Sequence, residues 1–295
     1  MEERKREINA KRRAAAKSRI DRIDESLSPD LLQAMQQTRD KGASSWLNAI
    51  PIEEHGLALK KQEFRDSLCL RYNLPLPNLP SYCACGEMFT VNHALSCKKG
   101  GFVAQRHDTI QDLLTSHISK VCRNVETEPL LQPPDNEVFN LQSTVTSREG
   151  RLGMKAGGFW TTGVTFFDVR VTHVNSRSNQ GKYTATIFKE QENEKKRKYN
   201  QRVMDVEMGA FTPLVFGTNW GMGLDCQNFL RTLANKLSAK SDEPCASVIS
   251  WLRIQLSFAI SRTVHRFLRG SRYPFKSRKV SEDFTFAVAG LHLHS

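Results

Sequence analysis

The clearest pattern of apolar and polar positions lies in the middle of the chain. Residues 164–174, VTFFDVRVTHV, are rich in β-branched and aromatic residues, which is typical of a buried strand. Before them, Ile110, Leu114 and Ile118 recur at helical spacing within 102–122. Together with the segments up to 218, this pattern predicts the order helix, strand, strand, strand, helix, strand. That order indicates an α/β fold with a mixed sheet.

The remaining segments fit around this core. Two further strands are predicted in NVETEPLL (124–131) and RLGMKAGGFW (151–160), and the last in TPLVFGT (212–218). The charged stretch 188–208 predicts a long helix, and 223–240 and 245–270 predict two closing helices. Helices are also predicted after the Ser28-Pro29 start signal and at about 60–72. The polar residues 133–150 predict a loop.

The net charge of the chain indicates the class of its binding partner. The chain has 43 Lys and Arg against 31 Asp and Glu, a formal net charge of +12. Such an excess favours an acidic polymer as partner, with nucleic acid first, although a basic protein without such a partner remains the alternative. The seven cysteines are odd in number and unevenly spread, which argues against a disulfide scaffold and for a reducing compartment. No long apolar run predicts a membrane span or a secretory signal, so we expect a nuclear or cytoplasmic protein.

One cluster of residues has the spacing of a metal site. Cys83, Cys85, His93 and Cys97 follow the pattern C-x-C-x7-H-x3-C. Three thiolates and one imidazole suit tetrahedral zinc, and Gly86 supplies the tight turn after the first pair. The alternative is a set of buried free thiols with a surface histidine. His107 is a possible substitute ligand.

The predicted strand 164–174 contains two ionisable residues. Because side chains alternate along a strand, Asp168 and Arg170 share one face while Phe167 and Val169 share the other. A buried strand rarely accepts two such groups without a reason. A structural ion pair with neighbouring strands is one explanation, and a catalytic role is the other.

The order of elements, with acidic residues near the second and third strands, resembles the restriction-endonuclease-like fold of the PD-(D/E)xK nucleases. Four segments, at 83–108, 166–174, 194–203 and 211–223, resemble a retroelement-derived protein segment that occurs downstream of reverse-transcriptase domains in animal genomes. This resemblance covers roughly residues 43–271. It implies a zinc knuckle followed by a nuclease-like domain.

The resemblance also assigns site residues. It implies that Asp168 is the third-strand acid that holds Mg²⁺, with Glu128 as a candidate second ligand. Arg170 stands where lysine is usual and can clamp phosphate but cannot accept a proton. Gly153 stands at the position of the second-strand aspartate, which implies an impaired metal site, and Glu149 is the nearest acid in sequence. The catalytic candidates are Asp168, Arg170, Glu128, Lys195 and Tyr199, of which the last two match a Q-x-x-x-Y pattern with lysine replacing glutamine.

The long charged helix also predicts a phosphate-binding patch. Its candidate residues are Lys195, Lys196, Arg197, Lys198 and Arg202. The alternative is a solvated helix face in which Glu190, Glu192 and Glu194 balance these charges.

These observations predict five segments: a basic arm (1–27), a helical segment (28–80), a zinc knuckle (81–101), a nuclease-like α/β domain (102–271) and an unrelated tail (272–295). We expect a retroelement-derived protein that binds DNA or RNA through phosphates and is catalytically impaired. An active Mg²⁺-dependent endonuclease and a non-catalytic zinc-containing protein-interaction module are the alternatives. The chain lacks a Y-x-D-D polymerase motif, so a reverse transcriptase of the same element is an expected partner rather than an activity of this chain.

Overall fold

A four-stranded mixed sheet forms the centre of the structure, a computed structural model that describes residues 2–131, 152–160 and 163–272. Its strands lie side by side in chain order: β1 (Arg123–Thr127), β2 (Met154–Gly157), β3 (Val164–Thr172) and β4 (Ala210–Gly217). β2 pairs antiparallel with both β1 and β3, and β4 runs parallel to β3. The predicted mixed α/β sheet is therefore confirmed, whereas the predicted loop at 133–150 and nearly all of the predicted tail lie outside the described residues.

Eight helices are present in the described ranges. They are α1 (Glu2–Ser26), α2 (Pro29–Gln37), α3 (Lys61–Arg71), α4 (Val91–Ser96), α5 (Phe102–Ile118), α6 (Thr184–Asp205), α7 (Leu224–Ser241) and α8 (Cys245–Arg269). From α5 to β4 the chain follows the order that the sequence predicts. Within these ranges, none of the helices is both long and apolar enough to cross a membrane.

The two faces of the sheet are covered by different helices. Phe167 and Val169 of β3 join the main core with residues of α5, α7 and α8. Phe166, one position away, joins a smaller cluster with Tyr199 and Val203 of α6. Alternation along β3 therefore places Asp168 on the α6 face. This placement decides which helix supplies the partners of its carboxylate.

The long helix α8 also holds the N-terminal helical segment. Its Arg269 donates to the buried carboxylate of Asp66 on α3 at 2.8 and 3.0 Å, and a ring nitrogen of His265 lies 2.8 Å from the same carboxylate. Burial alone would raise the pKa of Asp66, but these hydrogen bonds outweigh it, so the pKa is lowered. The helical segment is thus joined to the α/β domain by a buried ion pair.

The basic arm is a helix that projects from the molecule. None of the 25 residues of α1 is buried. Its connection to the rest includes a two-pronged ion pair from Arg39 to Asp24, with distances of 2.6 and 2.7 Å. At the start of the next helix, Ser28 occupies the N-cap position and Pro29 the first turn, as predicted, although the Ser28 side chain makes no capping hydrogen bond. The arm is therefore solvated, as its composition indicates.

Candidate functional site

The first pair of cysteines lies on a tight hairpin. Tyr82 and Met88 form an antiparallel bridge, and the N–H of Cys83 donates to the carbonyl of Glu87 at 2.9 Å. Gly86 closes the turn with a φ of 95°, a left-handed conformation that side chains rarely adopt, and donates to the carbonyl of Cys83 at 2.9 Å. The hairpin thereby brings the sulfurs of Cys83 and Cys85 toward the same point.

The second pair of ligands lies on the short helix α4. The hydroxyl of Thr90 caps this helix by accepting from the N–H of His93 at 3.1 Å. Cys97 follows one turn later, and its N–H donates to the carbonyl of His93 at 2.8 Å. Because residues four apart share one side of a helix, both side chains face the hairpin.

The four side chains form a compact set of possible metal ligands. The Sγ of Cys97 lies 3.8 Å from Cys83 and 3.9 Å from Cys85, and the Sγ of Cys85 lies 3.3 Å from Nε2 of His93. All four ligand atoms lie within 4.8 Å of one another. Ligands at about 2.3 Å from a tetrahedral zinc would be separated by roughly 3.8 Å, so the arrangement fits one ion. His107 does not belong to this set and instead contacts Asp108 at 3.2 Å.

The electrostatics of the cluster favour a cation. Burial would raise the pKa of Cys83, but hydrogen bonds from the backbone of Cys85 and from His93 lower it to about 6. Burial raises the pKa of Cys97, and the neighbouring sulfurs of Cys83 and Cys85 raise it further. The Cys83 thiol therefore loses its proton readily, and its negative charge disfavours loss of a proton from Cys97. A divalent cation at the centre would stabilise the thiolates together.

The metal cluster is joined to the sheet through a buried histidine. Nε2 of His173, just after β3, lies 3.0 Å from Oδ1 of Asn92 on α4, and Nδ1 lies 2.9 Å from the hydroxyl of Thr218 after β4. Burial lowers the pKa of His173 to about 4, and the nearby charge of Arg106 contributes. The ring is therefore neutral near pH 7 and connects α4 to the ends of both parallel strands.

A second connection comes from Arg272, which the sequence assigns to the unrelated tail. Its buried guanidinium donates to the carbonyls of Ala94 at 3.0 Å, Lys99 at 3.3 Å and Phe267. Ala94 also lies in the main core. Arg272 thus packs against α4 and the end of α8.

The two ionisable side chains of β3, Asp168 and Arg170, both have partners on α6. Lys195 of α6 reaches its carboxylate, with Nζ 2.5 Å from Oδ2, and both side chains are largely buried. Arg170, on the same face of β3, pairs instead with Glu194 of α6 at 2.9 Å. Both residues form ion pairs with the helix that covers them, rather than with neighbouring strands.

Tyr199 lies on the buried face of α6, one turn after Lys195. Its ring contacts Phe211 with centroids 5.6 Å apart and belongs to the small core on this side of the sheet. The Nζ atoms of Lys195 and Lys198 lie 5.6 and 5.1 Å from the ring centre. Tyr199 therefore supports the lysine that reaches Asp168.

The positions predicted to complete a Mg²⁺ site are arranged differently. Glu128 lies exposed at the end of β1, where its N–H donates to the carbonyl of Gly153 at 2.9 Å. A Cβ at Gly153 would lie 2.5 Å from Oε1 of Gln111 on α5, so Gln111 already fills the space of a side chain there. Glu149 lies outside the described residues. Within the described ranges, Cys83, Cys85, His93 and Cys97 are the one group of three or more potential ligands.

The predicted patch of five basic residues does not face one surface. Lys195 points to the sheet, and Lys196 pairs with Asp225 of α7 at 2.7 Å. Arg197 and Lys198 are exposed, and Arg202 is half-buried. Solvent-facing charge on this helix therefore centres on Arg197 and Lys198.

The alternative interpretation was a solvated helix face on which Glu190, Glu192 and Glu194 balance the basic residues. It does not hold for Glu192, because this residue is buried. Its Oε1 accepts from the N–H of Asp225 at the start of α7, at 2.9 Å. Burial and the charge of Asp225 raise the pKa of Glu192 to about 7. This residue connects α6 to α7 rather than balancing surface lysines.

Sequence reasoning missed His173, Gln111 and Arg272. His173 carried a signal, because polar residues just after a parallel strand lie at an edge where functional groups collect. Gln111 is a buried amide whose Oε1 has no hydrogen-bond partner among the described residues, and the sequence gives no sign of it.

The chain matches no protein-family model, and no curated protein matches it.

Proposed function

We propose that this chain is a retroelement-derived nucleic-acid-binding protein whose α/β domain has the restriction-endonuclease-like arrangement and is catalytically impaired. The observation that carries the proposal is the order α5, β1, β2, β3, α6, β4 with Asp168 on the third strand. That order and that acid are the features implied by the resemblance to PD-(D/E)xK nucleases. The fold-level likeness supports the architecture, while activity depends on the site.

The site supports weak or absent cleavage. A Mg²⁺ ion in such a nuclease needs more than one carboxylate. Asp168 offers one, and Lys195 occupies it at 2.5 Å. Gly153 has no ligand atom, and Glu128 lies at the surface. In an active relative the lysine on the third strand would face the reacting phosphate, and here Lys195 of α6 is the amine that reaches the acid. Mg²⁺ binding at Asp168 would first have to displace this amine.

The cysteine and histidine cluster is proposed to hold zinc in a structural role. Three sulfurs and one nitrogen complete a tetrahedral shell, which leaves no open position for a substrate. Zinc bound there would hold the hairpin to α4 and would keep Asn92 against His173. The metal therefore supports the edge of the sheet rather than a reaction.

Charge supports nucleic acid as the partner. The chain has a formal net charge of +12, and in α1 basic residues outnumber acidic ones without any being buried. Such a helix can neutralise phosphates along a strand of DNA or RNA. A reverse transcriptase of the same element is the proposed protein partner, and a nuclear or cytoplasmic location follows from both partners.

One observation favours a different class of function. Asp168 and Lys195 form a satisfied and largely buried pair, which is also what a purely structural role would give. A non-catalytic protein-interaction module is therefore the second candidate. It requires no affinity for nucleic acid.

Three measurements test the proposal: duplex binding, metal content and plasmid nicking. Fluorescence anisotropy with a labelled duplex should show binding that weakens on the order of tenfold or more between 50 and 200 mM salt. Metal analysis of the purified protein should find about one zinc per chain, lost in Cys85→Ser. Absence of binding at low salt would favour the protein-interaction module. Strong nicking of plasmid by the wild type in Mg²⁺ would show that the site is not impaired.

A further inference from the structure

A cleft of about 430 Å³ runs beside the first residues of β4, between α6 and α7. Its lining includes Phe211 and Thr212 of β4 and Asn228 and Thr232 of α7. Trp160, from the turn after β2, also lines it. We name this space the edge cleft. Its volume lies within the range of about 300–1,000 Å³ that is typical of small-ligand sites.

Trp160 is held in place by its surroundings although it is partly exposed. Its indole N–H donates to the hydroxyl of Thr212 at 2.9 Å. Phe159 contacts its ring edge-on at a centroid distance of 5.0 Å and stacks on Phe229 at 4.9 Å. Lys236 donates to the carbonyl of Gly158 at 3.0 Å, which fixes the turn. The indole is therefore a pre-organised aromatic surface with 38% of the residue exposed.

The charges around the edge cleft leave one of its two basic residues without an acidic partner among the described residues. Lys196 is neutralised by Asp225, with Nζ 2.7 Å from Oδ2. Arg231 is exposed and forms no ion pair with any described residue. Burial lowers the pKa of Arg253 on α8, and the positive charge of Arg231 lowers it further. A phosphate would relieve this repulsion.

We propose that the edge cleft binds one nucleotide of a single-stranded nucleic acid, with the base stacked on Trp160 and a phosphate at Arg231. The side-chain amide of Asn228 makes no hydrogen bond to any described residue, so it can donate to or accept from the base edge. A duplex keeps its bases stacked on one another, so an indole at this depth selects an unpaired base. This inference rests on the proposed nucleic-acid binding and specifies which form of nucleic acid one surface recognises.

Fluorescence anisotropy with a labelled single strand of mixed sequence, and with its duplex, tests the inference. Trp160→Ala should weaken single-strand binding on the order of tenfold, since stacking contributes about 1–3 kcal/mol per base, and should change duplex binding less than twofold. Trp160→Phe keeps an aromatic ring and should retain most of the affinity. The matched control is Trp251→Ala, which removes an equally exposed tryptophan from α8.

The phosphate contact has its own variant. Arg231→Gln should weaken single-strand binding severalfold, whereas Arg65→Gln, an equally charged change at an exposed position on α3, should not. Because Arg231 is exposed, its loss does not threaten folding. An oligonucleotide with abasic sites should bind the wild type more weakly than the intact strand does, and Trp160→Ala should not distinguish the two.

The outcomes separate this inference from the proposed function. If the wild type binds neither strand form, the proposed function fails and the inference fails with it. If the wild type binds single strands and Trp160→Ala, Trp160→Phe and Arg231→Gln all bind them equally well, the inference alone is wrong. Equal loss in Trp160→Ala and Trp251→Ala would also overturn it.

Discussion

Acidification should weaken the fold through His173, the buried ring between α4 and the parallel strands. Its pKa is about 4 in the folded protein, where burial opposes the charge, against about 6.5 in an unfolded chain. Between these two values the unfolded state takes up a proton that the folded state refuses. Stability from the neutral ring is therefore complete above about pH 6.5 and falls as the pH drops toward 4.

The two pKa values set the size of the effect. From pH 7.5 to pH 5, the proton uptake of the unfolded state should cost about 2 kcal/mol of unfolding free energy, and the loss should level off below pH 4. The positive charge of Arg106 opposes protonation of His173, as burial does. The neighbours Asn92 and Thr218 are uncharged and do not titrate in this range.

Urea unfolding at several pH values measures this loss. His173→Gln should be less stable than the wild type near neutral pH but should lose about 2 kcal/mol less on acidification, because an amide does not titrate. The carboxylates and the cysteines and histidine of the candidate metal site are the same in both proteins, so their contributions cancel in the difference. His55→Gln, at an exposed position, should keep the wild-type pH dependence. The reasoning fails if His173→Gln and the wild type lose the same amount.

Three further changes test other parts of the structure. Lys195→Met should cost about 3 kcal/mol in urea unfolding by leaving the Asp168 carboxylate unpaired, and the double change with Asp168→Leu should recover most of it. Deleting residues 2–26 should leave the unfolding free energy within about 0.5 kcal/mol, because no residue there is buried, and should flatten the salt dependence of DNA binding. Gly153→Asp should destabilise the protein, since it would place a carboxylate against the buried Gln111, with Cβ 2.5 Å from Oε1, and should leave Mg²⁺ binding and plasmid nicking unchanged, because Gln111 lies on α5, on the opposite face of the sheet from Asp168.

Each of these has an outcome that contradicts it. Full stability of Lys195→Met would mean that water solvates Asp168 as well as the amine does. A large loss of stability on deleting residues 2–26 would mean that α1 is docked on the domain. Faster nicking in Gly153→Asp would mean that a carboxylate at residue 153 reaches a Mg²⁺ ion at Asp168.

The sequence predicted the strands and helices well where one periodicity dominates. Residues 164–172 are rich in β-branched and aromatic residues and are buried through their middle, and apolar positions recur every three or four residues in α5, so local pattern and burial agree. The set of potential metal ligands was equally predictable from the sequence, because the four residues lie within one short segment and their spacing alone brings them together. In both cases the contacts that matter are close in sequence.

The partners of charged residues could not be predicted in the same way. Nothing local distinguishes Lys195, which reaches a strand 27 residues earlier, from the exposed Lys198. Glu192 has the sequence context of a surface residue, yet the start of α7, 33 residues later, buries it. Arg272 lies outside the segments that carry the resemblance, so the sequence predicts no contact between it and the domain. Such contacts depend on how whole elements pack, which a pattern of residues does not contain.

The junction around Arg272 has a consequence for the order in which the protein is made. The four ligands of the metal cluster lie between residues 83 and 97, so the cluster can close as soon as that segment leaves the ribosome. Its docking cannot follow at once, because the guanidinium that holds Ala94 lies 178 residues later in the chain. Until residue 272 is synthesised, α4 lacks both Arg272 and much of its apolar cover. The nascent chain thus carries a complete set of potential metal ligands on an unfinished domain.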